Sequence, residues 1–146
     1  MNRFKLAITA IVVGACALGG ATAATAADYQ SGSKGTVLLS NPNRAAYSQY
    51  LGTNSNAPVG LSWIKASDMK RDGYSALTVL QKREGGKWVE VSRVIASGGI
   101  GADMKRTVMR PKKGTQMRLT SCTINRSAPA AKRVGFNCQS EVFYAV

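Results

Sequence analysis

Asp68 and Asp72 stand four residues apart, the spacing that would align two carboxylates on one helix face for general acid and base work. Lys70 and Arg71 lie between them in a short polar segment, which points instead to a solvated, charge-balanced turn. Ser31-Gly32-Ser33-Lys34 has the spacing of a Ser-x-x-Lys nucleophile, but it sits in a Gly/Ser-rich stretch without the companion motifs of that chemistry. Gly98-Gly99-Ile100-Gly101 could offer backbone amides to a phosphate, yet no strand-to-helix context surrounds it, so a plain loop is expected. Glu84, Glu90 and Glu141 are isolated. The 146 residues include no histidine, which removes Ser-His-Asp and Cys-His catalysis, His-bearing zinc sites and histidine-ligated haem. Two distant cysteines do not make a zinc site on their own, so neither metal nor cofactor is expected, and the chemistry left is binding rather than catalysis.

The first 27 residues read as a secretory signal. Asn2-Arg3-Phe4-Lys5 supplies a positive start, Leu6 through Leu18 an apolar run, and Ala24-Thr25-Ala26 a small-residue cleavage site. The run is too short for a membrane-spanning helix, which needs about 20 residues. Val13-Gly14-Ala15-Cys16 loosely matches a lipobox, an alternative that would anchor the chain through Cys16. Of the three cysteines, Cys122 and Cys138 remain in the mature chain, and an even count in an exported protein predicts one disulfide. Closing a loop of about 16 residues is worth about 3 kcal/mol in the chain-entropy picture.

Charge carries the strongest functional signal. There are 20 Lys and Arg against 7 Asp and Glu, a net +13, and only Arg3 and Lys5 leave with the signal. Lys105, Arg106, Arg110, Lys112 and Lys113 crowd one acid-free stretch. Lys65, Lys70 and Arg71 form a second group, Lys82, Arg83 and Lys87 a third, and Arg126, Lys132 and Arg133 a fourth. Such a surface attracts polyanions and accelerates their encounter, less so as salt screens the field. Trp63 and Trp88 could stack on bases, but aromatics spread through a β fold serve packing, and no specific nucleic-acid binding is expected.

The elements that must hold these groups are strands. Asp28 to Gly35 is polar and Gly/Ser-rich and reads as an extended N-terminal arm carrying Tyr29 and Lys34. Residues 36–146 then form one domain. Gly35 to Ser40 and Leu61 to Lys65 are strand candidates, and Arg44 to Asn56 fits a helical turn or a loop. Tyr74 to Gln81 and Lys87 to Ile95 predict a hairpin about the Gly85-Gly86 turn, with Val89 and Val91 sharing one face and Trp88, Glu90 and Ser92 the other. Arg106 to Met109, Thr115 to Thr123, Val134 to Cys138 and Glu141 to Val146 complete the set. Met117 and Leu119 share a face opposite Arg118 and Thr120. Lys65 to Asp72 is the best place for one helical turn. Seven or eight short strands with regular turns predict an all-β fold, an antiparallel β-sandwich or small barrel with one disulfide.

The Ala/Thr-rich leader, the Leu-Thr-Val hairpin closing on Gly-Gly-Lys-Trp-Val and the late cysteine pair resemble small secreted β-sandwich proteins of Gram-positive, especially actinobacterial, bacteria. The chain is similar at this level to the small linker subunits of secreted umbrella-shaped toxin particles. That resemblance implies an N-terminal strap that docks into a partner's cleft and a compact domain that grips another subunit. The expected function is therefore a non-enzymatic, extracellular adaptor. Tyr29, Lys34, Lys105, Arg106, Arg110, Lys112 and Lys113 are its partner-binding residues, and its partners are co-secreted proteins or anionic envelope polymers. The competing classes are a cationic antimicrobial or inhibitor acting alone, and an envelope-polymer-binding module.

Overall fold

A computed structural model describes residues 29–31, 35–52 and 59–146, with Tyr29–Ser31 known by backbone alone. The leader, Cys16 and Lys34 lie outside the described residues.

Nine strands are described: β1 (Tyr29–Ser31), β2 (Thr36–Ser40), β3 (Ala46–Leu51), β4 (Leu61–Asp68), β5 (Ser75–Glu84), β6 (Lys87–Ala96), β7 (Asp103–Met109), β8 (Gln116–Ile124) and β9 (Gly135–Tyr144). They form two antiparallel sheets, one ordered β1-β2-β3-β4-β7 and the other β6-β5-β8-β9. The sheets stay separate, so the fold is a sandwich rather than a barrel. The chain crosses between sheets after β4, returns after β6 and crosses again after β7.

Alternation in the sequence explains the core. Val37 and Leu39 on β2, Ile64 and Ala66 on β4, Ala76 and Leu80 on β5, and Met117 and Leu119 on β8 all turn inward and are buried. Period-two patterning on both sheets gives two apolar faces that can be satisfied only by meeting each other. Tyr50 crosses the gap to Phe143, ring centroids 5.0 Å apart. Its hydroxyl reaches Ser62 Oγ at 3.3 Å, and burial raises its pKa against the opposing effects of that bond and of Arg110.

Tyr74 to Leu80 carries apolar residues at both parities because both of its faces are covered. Ala76 and Leu80 enter the main core, whereas Leu77 joins Cys122 and Ile124 in a second buried cluster on the outer face, with Val79 and Ile95 packed on it. The Cys122–Cys138 disulfide forms between β8 and β9 as expected. Gly135 lies against this cluster, where a Cβ would sit 3.0 Å from Cys122 and 3.1 Å from Leu77.

Several local expectations change. The β5–β6 hairpin turns on Gly85 and Gly86 alone, both at positive φ (55° and 78°), so Lys82 to Glu84 extend the strand. The described part of the segment from Arg44 to Asn56 holds strand β3, and residues 53–56 lie outside the described residues. Lys65 to Asp72 holds no helical turn: β4 continues to Asp68, because Ala66 and Asp68 keep the buried alternation and Met69 N bonds Ala45 O at 2.9 Å. The two C-terminal segments are one strand, β9, kinked at Asn137 (φ 48°), where the β8 register shifts.

Candidate functional site

The fold brings members of the four basic clusters together at two places, while Lys65, Lys105 and Arg106 stay along β4 and β7. Lys82 pairs across the sheet with Met117, which brings the β5–β6 hairpin tip beside the turn that precedes β8. A groove of about 420 Å³ there is lined by Lys82, Arg83, Glu84, Pro111, Lys112 and Thr115. Lys82 and Arg83 of the third sequence cluster thus meet Lys112 of the first at one end of the sandwich. At the other end Ser75 pairs with Ile124, so the segment entering β5 lies beside the segment leaving β8. A cleft of about 530 Å³ opens there, and its walls include Lys70, Arg71 and Arg126. The ten-residue β5 runs from one end to the other, which at about 3.3 Å per residue separates them by roughly 30 Å.

The tip groove is partly compensated and structurally braced. Lys82 Nζ lies 3.0 Å from Glu84. Arg118 Nε donates to Gln81 Oε1 at 2.8 Å, and its guanidinium stacks 4.6 Å from the Trp88 ring centroid; Arg83 approaches the same ring at 5.3 Å. Lys112 and Lys113 are exposed on a turn closed by Thr115 N to Lys112 O at 3.0 Å.

The predicted binding residues separate by role. Arg110 is half-buried: its Nη2 donates to Leu61 O at 3.0 Å, its backbone N donates to Gly60 O, and it thereby fastens the end of β7 to the start of β4. Lys105 and Arg106 project from β7, whose other edge pairs with no strand among the described residues. Lys105 lies over Trp63 at 5.2 Å, and beside it Lys65 and Asp103 pair at 2.6 Å, which holds the Asp103 carboxyl below its ordinary pKa. Both tryptophans therefore already carry cations, which a stacking base would have to displace. The backbone of Tyr29–Ser31 pairs with Leu39–Val37 on β2, so the arm adds a strand to its own sheet.

The carboxylate pair does not form a joint site. Asp68 points inward from β4 and is 2% exposed, while Asp72 occupies an exposed turn and accepts from Tyr74 N at 3.0 Å. Asp68 Oδ1 accepts from Lys70 N at 3.3 Å, and Oδ2 has no hydrogen-bond partner among the described residues. Desolvation raises its pKa, opposed by the Lys70 bond and reinforced by the charge of Asp72. No group of His, Cys, Asp and Glu suited to a metal occurs among the described residues, nor does any described helix have the length and apolarity to cross a membrane.

Sequence reasoning missed the cleft because its lining comes from three distant segments, 70–75, 97–100 and 126–127. The visible signals were the Lys70-Arg71 pair and the glycine run at 98–101, each assigned separately to a turn and a loop. No protein-family model matches the chain, and neither a curated protein nor a solved structure matches it.

Proposed function

We propose that this protein is an exported, non-enzymatic adaptor that links two acidic partners, one at each basic end of its sandwich. The observation that carries this reading is that cations from different basic clusters come together at opposite ends of one domain, Lys82, Arg83 and Lys112 at one and Lys70, Arg71 and Arg126 at the other. A sandwich with a disulfide between late strands gives a stiff spacer, and charge at each end speeds encounter and fixes orientation. The umbrella-particle linker resemblance fits the same role, with the arm as strap. Pairing of Tyr29–Ser31 to β2 would then have to exchange for pairing to a partner's edge, a strand-addition mode of recognition.

Affinity capture of tagged mature protein from the producer's culture supernatant, at low and high salt, tests the reading. Two co-secreted proteins should be retained in stoichiometric amounts. Lys112→Ser with Lys113→Ser should release one, and Lys70→Ser with Arg71→Ser the other. Capture of nothing but salt-labile polyanions would replace the adaptor with an envelope-polymer-binding module.

A second reading draws on β7, where exposed Met104 and Met109 share the strand with Lys105 and Arg106. Mixed apolar and cationic surface suits a cationic antimicrobial or inhibitor. Purified protein that kills cells or blocks an enzyme unaided would favour it.

A further inference from the structure

We infer that the cleft between the β4–β5 connection, the β6–β7 loop and the end of β8 is a binding site for a phosphate-type oxyanion. It deepens the adaptor reading by naming the chemistry of one basic end, and it stands whether or not the other end binds anything.

Three observations converge on the cleft. First, its charge is of one sign: Lys70, Arg71 and Arg126 line it, no acidic residue does, and none of the three has an ion-pair partner among the described residues. The tip groove differs, since Glu84 stands among its cations. Three unpaired cations drawn together from two segments more than 50 residues apart repel one another, and a bound anion relieves that repulsion.

Second, the cleft also supplies neutral donors. Ser75, Ser97 and Ser127 line the cleft with Gly98, Gly99 and Ile100. Among the described residues, the amides of Gly98, Gly99 and Ile100 donate to no backbone carbonyl. Gly99 adopts φ 83°, a left-handed conformation glycine enters at little cost, and side-chain-free backbone there lets a ligand approach closely. Glycine-rich turns with unspent amides are a recurrent way to hold phosphate oxygens, and arginine adds forked, charge-assisted donors.

Third, the glycine loop is anchored. Asp68 N bonds Ala102 O at 2.9 Å, Gly101 N bonds Asp68 O at 2.7 Å, and Ala102 N closes a turn on Gly99 O at 2.9 Å. These bonds tie the loop to the end of β4, directly before Lys70 and Arg71. At about 530 Å³ the cleft has room for a phosphate group together with the glycerol or sugar that bears it. A polar wall of hydroxyls and amides suits tetrahedral oxygens better than a planar carboxylate or an apolar ligand.

The test is a titration of uniformly ¹⁵N-labelled mature protein, at constant ionic strength, with inorganic phosphate and separately with a synthetic glycerol-phosphate oligomer. Chloride serves as the control. Saturable amide shifts should be confined to Ser97, Gly98, Gly99, Gly73 and Ser127. Arg126→Ser should weaken binding at least about tenfold, the order expected from one lost charge-assisted contact. Lys112→Ser with Lys113→Ser removes more charge at the far end and should leave affinity within about twofold. Saturation by both ligands identifies a site for free phosphate; saturation by the oligomer alone identifies a pendant phosphodiester. Shifts that rise without saturating, or that spread equally over the 110–114 turn, overturn the site. So does equal loss of affinity in the two variants. Intact two-partner capture with no saturable phosphate shift would defeat this inference and leave the adaptor reading standing.

Discussion

Ser48 and Thr78 meet hydroxyl to hydroxyl at 2.6 Å between the two sheets, one from β3 and the other from β5. Thr78 Oγ1 also donates to Lys65 O at 2.9 Å, which spends its only proton, so Ser48 must be the donor in the shared bond. Both residues are buried. Thr78→Val removes the acceptor and strands the Ser48 hydroxyl, a loss of about 1–3 kcal/mol. Urea unfolding should show that loss, with Thr78→Ser close to wild type. A valine variant of unchanged midpoint would show that the bond contributes nothing net.

Asp68 makes stability depend on pH in an unusual sense. Its pKa is raised in the folded chain, so the fold disfavours the charged form, and this penalty is full at neutral pH. As pH falls through the raised value towards the ordinary carboxylate pKa, the folded carboxyl takes a proton that the unfolded one does not, and stability rises. Glu90 and Asp103, whose pKa values are lowered by Arg93 and Lys65, act in the opposite direction, but these are exposed pairs of small worth. Asp68→Asn should stabilise the protein at pH 7 and lose the gain on mild acidification. Thermal melts from pH 7 to pH 4 check both; an unchanged profile would mean that the carboxylate is solvated.

Lys112 and Lys113 are free to steer a partner, whereas Arg110 is engaged with Leu61. Lys112→Ser with Lys113→Ser should therefore slow association with an acidic partner and flatten its salt dependence without changing stability. Arg110→Ser should lower the melting temperature instead. Stopped-flow association at several salt concentrations, beside thermal melts of both variants, separates the two roles. Equal salt slopes for wild type and the double lysine variant would remove the steering assignment.

Gly35 joins the arm to β2 at φ 70°, and a Cβ there would collide with Val146 at the chain's end. Gly35→Ala should cost roughly 1–3 kcal/mol through backbone strain and that contact. Removing Val146 should recover the steric part of the cost. A full-stability Gly35→Ala variant by urea unfolding would contradict the close packing of Gly35 against Val146.

Replacing Cys122 and Cys138 together by Ser opens the loop between β8 and β9 and exposes the cluster around Leu77 and Ile124. The expected loss is about 3 kcal/mol. A melt of the double variant beside the reduced wild type measures it, and a change below roughly 0.5 kcal/mol would show that packing alone holds β9.

The strand class, the hairpin about Gly85-Gly86, the inward faces of β8 and the Cys122–Cys138 pair were legible in the sequence, because alternation, turn chemistry and cysteine parity are local signals. The order of strands was not, since hydrogen-bonding edges carry no residue code. Apolar residues at both parities from Tyr74 to Leu80 leave that strand's orientation open by pattern alone, and the second cluster on its outer face decides it. Asp68 and Asp72 looked like equals by spacing; strand alternation buries one and leaves the other in solvent. Composition by itself determined that this protein is strongly basic and lacks imidazole chemistry. Only the tertiary structure decided where charge gathers: antiparallel pairing of β5 with β8 sets segments distant in sequence side by side, so that Lys82 and Arg83 meet Lys112 at one end and Lys70 and Arg71 meet Arg126 at the other.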